Sequence, residues 1–120
     1  MESITLKVGS VYTINNHIED YRKTVTFEGE RIGHVTWYTD SRGMKGVTQN
    51  LYKINDTTYV VYEIEWSQWT HDTDWHTLHQ DVTEEDLQYG KRFERLGIAT
   101  GLARPMSLED LKRWSSEKQP

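Results

Sequence analysis

The sequence predicts a mainly β domain: an antiparallel meander that forms a strongly curved sheet or a small closed barrel, with two short C-terminal helices. Three observations predict it. Up to residue 82, short alternating or β-rich runs are separated by Gly, Asn and Asp at near-regular spacing. At Thr83 the pattern changes to a capped, acidic helix start. Between the two, Tyr59 to Val82 reads YVVYEIEWSQWTHDTDWHTLHQDV, a dense β-forming run that ends in three of the five tryptophans and three of the five histidines.

Taken in order, Ile4, Leu6 and Val8 alternate, Gly9-Ser10 punctuates, and Val11 to Ile14 follows. Asn15-Asn16 is read as a turn. Thr24 to Phe27 alternates, Glu28-Gly29-Glu30 is read as a turn, and Ile32 to Thr39 returns. Asp40-Ser41-Arg42-Gly43 turns again before a strand from Val47 to Lys53. Asn55-Asp56 is the next turn, Thr58 to Trp66 runs long, and Trp75 to Val82 comes back after a polar loop. Six or seven such strands favour closure, which removes exposed edges.

Thr83 caps a helix with Glu84, Glu85 and Asp86 in its first turn. Tyr89, Phe93 and Leu96 fall at i, i+4 and i+7, and Gly97 stands where a C-terminal stop is expected. Gly90 inside that span weakens it by about 1 kcal/mol. Ser107 to Asp110 repeats the capping pattern after Pro105, and Leu108, Leu111 and Trp114 form one face of a terminal helix. Both helices are expected to pack on the sheet or to plug a barrel end. The whole chain, 1–120, reads as one domain, with the meander in 3–82 and the helical segment in 83–120.

Composition narrows the function classes. At 120 residues the chain can bury a core without staples. Seven Tyr and five Trp against two Phe make most aromatics amphipathic, suited to pocket walls and interfaces. A net charge of −5, with no basic run, argues against nucleic-acid binding. Without cysteine there is no disulfide, thiolate nucleophile or zinc-thiolate site. The N-terminal residues do not read as a secretion signal, and no segment approaches the ~20 apolar residues of a membrane span, so a cytoplasmic location is expected. Asn55-Asp56-Thr57 matches a glycosylation sequon but reads as a turn in that setting.

Strand phase decides which side chains meet. A two-residue loop at Asn55-Asp56 pairs position i with 111 − i. Tyr52 then faces Tyr59, Asn50 faces Val61 and Thr48 faces Glu63, a mixed surface that suits a small pocket or faces water. Leu51 with Val60, Gln49 with Tyr62 and Val47 with Ile64 form the more apolar face and are assigned to the core. On the last strand, Trp75, Thr77, His79 and Asp81 share one side. His76, Leu78, Gln80 and Val82 share the other, which Leu78 and Val82 turn inward.

No diagnostic catalytic motif is present. No serine lies in a G-x-S-x-G elbow, and no G-x-x-x-x-G-K phosphate loop exists. His76 and His79 point to opposite sides of a strand, so they do not make a two-ligand metal pair. His71, Asp72, Asp74 and His76 match no tight metal spacing, and no metal or other cofactor is expected. Glu63 and Glu65, two apart on one face, could split their pKa values into an acid and a base, although a charged outer face is the commoner reason for such a pair. His34 and His76 are candidate bases, and each is also an ordinary core or surface histidine in the commoner case.

The stretch YKINDTTYVVYEIEW, then a loop and WHTLHQDV, resembles the paired strands of lipocalin-like (calycin-type) proteins related to phenolic acid decarboxylases. YRKTVTFEGERIGHVTW fits the same strand–turn–Gly–strand texture. The resemblance covers about residues 21–82 and implies a β-barrel with a small aromatic-lined cavity. It assigns no catalytic residue.

Two function classes follow. In the first, a small barrel binds, and in one version transforms by acid/base chemistry, a small hydrophobic or aromatic molecule. Trp37, Tyr52, Tyr59, Tyr62, Trp66 and Trp75 are its walls, and Glu63, His76 and His34 its polar groups, with Glu63 and His76 at one polar end. A homodimer is the other partnership considered. In the second class, an acidic, non-enzymatic inhibitor or accessory subunit uses Trp66, Trp69, Trp75, Asp72 and Asp74 as contact anchors.

Overall fold

The computed structural model describes residues 1–14, 16–69, 72–104 and 107–118. Six antiparallel strands, β1 (Glu2–Ile14), β2 (His17–Asp20), β3 (Lys23–Tyr38), β4 (Lys45–Lys53), β5 (Tyr59–Ser67) and β6 (Thr73–Val82), form one sheet in the order β2-β1-β3-β4-β5-β6. A further pairing of β1 with β6 joins five of them in a ring. A 3-10 turn (Glu84–Leu87), α1 (Glu94–Thr100) and α2 (Leu108–Lys118) follow.

Ring closure depends on β1 serving two neighbours. Its first half, Glu2 to Val8, pairs with β3, and Gly9 to Tyr12 pairs with β6. Gly9 stands at the changeover with φ +136°, a conformation that L side chains rarely adopt, and a Cβ there would press on the backbone of Tyr21 and Arg22. The glycine therefore bends one long strand and does not separate two. Likewise Glu28-Gly29-Glu30 is not a turn: β3 runs through it, because Gly29 lets the Lys53 carbonyl pass within 3.0 Å of where a Cβ would stand. The irregularity falls later, between Arg31 and Gly33. β2 is an element the strand count passed over, paired to the end of β1 across a turn in which Asn16 has φ 63°.

The β4–β5 register also differs from the two-residue-loop expectation. Position i pairs with 112 − i: Leu51 with Val61, Asn50 with Tyr62, Gln49 with Glu63. The cause is a wider turn, closed by Ile54 N–H donating to the Thr58 carbonyl. The Asn55 side-chain oxygen accepts from the backbone N–H of Thr57 and Thr58. A second correction falls on β6. Tyr59 pairs with Val82 but Val61 with His79, so β6 carries an extra residue, and Asp81 there has φ 57°. The bulge moves Val82 to the side of His79, away from Leu78.

Two cores result, one on each face of β4–β5, which is why neither face of that hairpin alternates cleanly. Inside the ring, Tyr52, Val60 and Tyr62 pack with Ile4, Leu6, Val8, Phe27, Ile64 and Leu78. On the outer face, Leu51, Tyr59, Val61 and Val82 are covered by Leu87, Phe93 and Leu96. One continuous helix from Thr83 to Gly97 does not form. Gly90, at φ 77°, breaks the chain after the 3-10 turn, and α1 begins at Glu94. Gly97 is not the stop but an internal contact: a Cβ on it would overlap the Leu87 carbonyl. The stop is Gly101, left-handed at φ 78°. In α2, Leu108 and Leu111 are exposed, at 71% and 44%, where the terminal helix face is expected to be covered. The side chain of Trp114 and all of His71 lie outside the described residues.

Candidate functional site

The outer face carries a polar centre beside its apolar core. Gln49 and Glu63 are cross-strand partners, so the 112 − i register brings their side chains together. Gln49 Nε2 donates to Glu63 Oε1 at 2.7 Å. His79, one strand over, lies 3.4 Å from Glu63 Oε2 through Nε2. Its Nδ1 lies 3.3 Å from Arg92 Nη2. Because a guanidinium only donates, His79 accepts at Nδ1 and donates from Nε2 to the carboxylate. Arg92, His79, Glu63 and Gln49 thus form one hydrogen-bonded line across three strands and the segment before α1.

That segment closes a cleft of about 500 Å³ over the line. Trp37 forms one wall, and Lys91, Arg92, Glu94 and Arg95 form the rim. Arg95 lies 4.5 Å above the Trp37 ring, and Arg92 lies 5.2 Å from the Phe93 centroid, cation–π contacts that hold both guanidinium groups at the opening. Glu94 is committed to the turn, accepting from the Gly90 N–H at 2.9 Å. Gln49 is only 4% exposed, and its Oε1 has no hydrogen-bond partner among the described residues. Flipping the amide does not relieve this, because it would set oxygen against Glu63 Oε1. A buried carbonyl without a donor costs about 1–3 kcal/mol.

Glu63 and Trp37 are the two sequence candidates that meet here. Tyr59 lies on the same face but within the apolar core. Trp75, opposite Glu65, is 52% exposed. His76 and Glu63 do not share a polar end. His76 pairs with Ile64 and points into the ring, whereas Glu63 points outward. Tyr62 and Tyr52 are inside the ring with His76's side of the sheet, Tyr52 edge-on to Phe27. Tyr62 Oη donates to the Lys7 carbonyl at 2.7 Å and accepts from His76 Nδ1 at 2.7 Å. Burial pushes the Tyr62 and Tyr52 phenols up, and burial, with the Arg22 charge, pushes the His76 imidazole down. Trp66 lies over Gly46, its register partner in β4, with Nε1 donating to Thr48 Oγ1 at 3.2 Å and its ring edge-on to Tyr38. His34 is exposed opposite Asn50 and, among the described residues, bonds neither Glu63 nor His76.

Gln49, His79, Arg92 and Arg95 are the members of this site that the sequence reading missed. The signals were a Gln on an apolar strand face and the cationic K-R-x-x-R spacing of Lys91, Arg92 and Arg95 in an otherwise acidic chain. Among the described residues no group of three His, Asp or Glu side chains is arranged to hold a metal ion. No helix among them is long and apolar enough to cross a membrane. Comparisons with protein-family models, curated proteins and solved structures give no match to this chain.

Proposed function

We propose that this protein binds a small molecule in the outer cleft between the β4–β5–β6 face and the segment leading into α1. One observation carries the reading: the Gln49 side-chain carbonyl, buried and without a donor among the described residues while Glu63 holds the amide nitrogen, beside a cleft of about 500 Å³ that Gln49 helps to line. Pockets of roughly 300–1,000 Å³ with a few placed polar groups are the usual form of small-molecule sites. Ring size supports an outer site over an inner one. An interior that holds one small ligand goes with about eight strands, and five leave room for side chains alone. The groups facing this cleft also favour a polar or charged ligand over a purely hydrophobic one. Both Glu63 oxygens already accept a hydrogen bond, which suits a carboxylate that shapes a binding site.

The test is a fragment screen by ligand-observed NMR against wild type, Gln49→Leu and Trp66→Phe. Hits that disappear in Gln49→Leu and persist in Trp66→Phe support the outer cleft. Hits indifferent to Gln49→Leu overturn it.

A second reading, the contact-surface protein, has its own observation. Trp69 and Trp75 stand about half in solvent beside a groove lined by Trp66, Lys45 and Asp72. The aspartates there are largely engaged within the loop: Ser67 donates its N–H to Asp74 and its hydroxyl to Asp72. Copurification with a partner that Trp69→Ala with Trp75→Ala abolishes would favour this reading.

A further inference from the structure

Resting on the cleft reading, we infer that the ligand is a zwitterion of the free α-amino acid class. The cleft is polarised from floor to rim. Its floor holds acceptors: the Glu63 oxygens, each with capacity beyond the one donor it receives, and behind them the buried Gln49 Oε1, without a donor among the described residues. Its rim offers donors: the Arg92 and Arg95 guanidinium groups, while Lys91 there pairs with Glu85 at 3.7 Å and Glu94 accepts from the Gly90 N–H.

Among the described residues neither arginine lies within ion-pair distance of a carboxylate: Arg92 meets His79 and the Phe93 ring, and Arg95 the Trp37 ring. Elsewhere in the same chain arginines at acidic positions are paired, Arg22 with Asp20 and Arg104 with Glu84. Arg95, held by its cation–π contact, keeps its fork for an incoming carboxylate, and Arg92, which gives Nη2 to His79, keeps its remaining N–H groups for one.

A simple anion would satisfy the rim and leave the Gln49 carbonyl orphaned. A simple amine would satisfy the floor and leave the arginines unmatched. An ammonium supplies three donors to the floor, and a carboxylate on the neighbouring carbon faces the rim. The span fits. Glu63 Oε2 and Arg92 Nη2 are separated by no more than two contacts, of 3.4 Å and 3.3 Å, and one imidazole ring. An ammonium, one carbon and a carboxylate, with a hydrogen bond at each end, bridge a gap of that order. The Trp37 wall and the remaining volume are left for the side chain.

Isothermal titration with L-leucine, L-phenylalanine and L-glutamate, each also as its N-acetyl and its carboxamide form, tests this. At least one free amino acid should bind. Acetylation or amidation should each weaken it by about tenfold or more, since a hydrogen bond to a charged group is worth at least that factor. Arg92→Gln, checked for folding by circular dichroism, should weaken the free acid by a similar factor and leave the amide unchanged. Equal binding of the N-acetyl form overturns the zwitterion and points to a plain anion. Binding by no free amino acid, while screened fragments still depend on Gln49, also overturns it and leaves the cleft reading intact. Failure of those fragments to depend on Gln49 removes both.

Discussion

Replacing Gly97 with alanine should destabilise the protein, although the position is helical and alanine is the better helix former. Gly97 is the fourth residue of α1 and buried, and a Cβ there would overlap the Leu87 carbonyl oxygen. The obstacle is backbone, so no side chain can rotate away. A methyl forced into filled space costs about 1–3 kcal/mol, and the alanine substitution returns about 1 kcal/mol of helix propensity. The upper part of the range applies because α1 must move off the 3-10 turn, carrying Leu96 out of the outer core. A net loss of about 2 kcal/mol corresponds to roughly 8 °C in melting temperature for a domain of this size. Far-UV circular dichroism melts, with urea unfolding to confirm an unchanged slope, measure it. Gly101→Ala is the companion: nothing lies within 4 Å of its Cβ, so only the left-handed φ of 78° opposes it, at about 1 kcal/mol. A Gly97→Ala protein that melts at or above wild type would refute the packing of α1 described here. Because α1 positions Arg95 over Trp37, the same variant should also weaken any ligand of the cleft.

Three further outcomes are expected. His76 sits below its ordinary imidazole range when folded, so the unfolded chain binds more protons there. Its stabilising contribution is full above about pH 6.5 and is lost as pH falls below that value; melting temperature between pH 7 and 5 should therefore fall less in His76→Gln than in wild type. Tyr62→Phe removes the hydroxyl shared by the Lys7 carbonyl and His76, and leaving them unpaired should cost about 1–3 kcal/mol in chemical denaturation. Glu63→Ala removes the acceptor of the buried Gln49 Nε2 and should cost about 2 kcal/mol, with Glu63→Gln costing less; equal stability of Glu63→Ala and wild type would contradict the polar line across the sheet.

Much of the fold was legible. The turn residues marked the strand boundaries at Asn16, Asp40 and Asn55, and the switch to helix at Thr83 stands as read. Glycine misled in both directions. At Gly9 and Gly29 the residue type suggests punctuation, but there the backbone of another segment passes close to a continuing strand. At Gly97 it suggests a stop, and the helix ends four residues on at Gly101. Phase was the harder quantity. A single added residue in the Asn55 turn and another at Asp81 decide which side chains share a face, and both are set by backbone geometry that residue type only biases. The site suffered most from this. Glu63 and Trp37 were named from their chemistry, but Gln49 and His79 join Glu63 only in the observed register. Arg92 and Arg95 reach it only because the chain folds back after Gly90.

The side-chain amide of Gln49 reports on the central claim most directly. Its Nε2 resonance pair can be assigned in a ¹⁵N–¹H correlation spectrum by its loss in Gln49→Leu, then followed while a screened fragment or an amino acid is titrated. This pair and the backbone amides of Glu63, Arg92 and Arg95 are expected to shift together, with those of Leu6, Tyr62 and Leu78 inside the ring unmoved. Shifts confined to the ring interior, with Gln49 Nε2 unchanged at saturation, would contradict that claim.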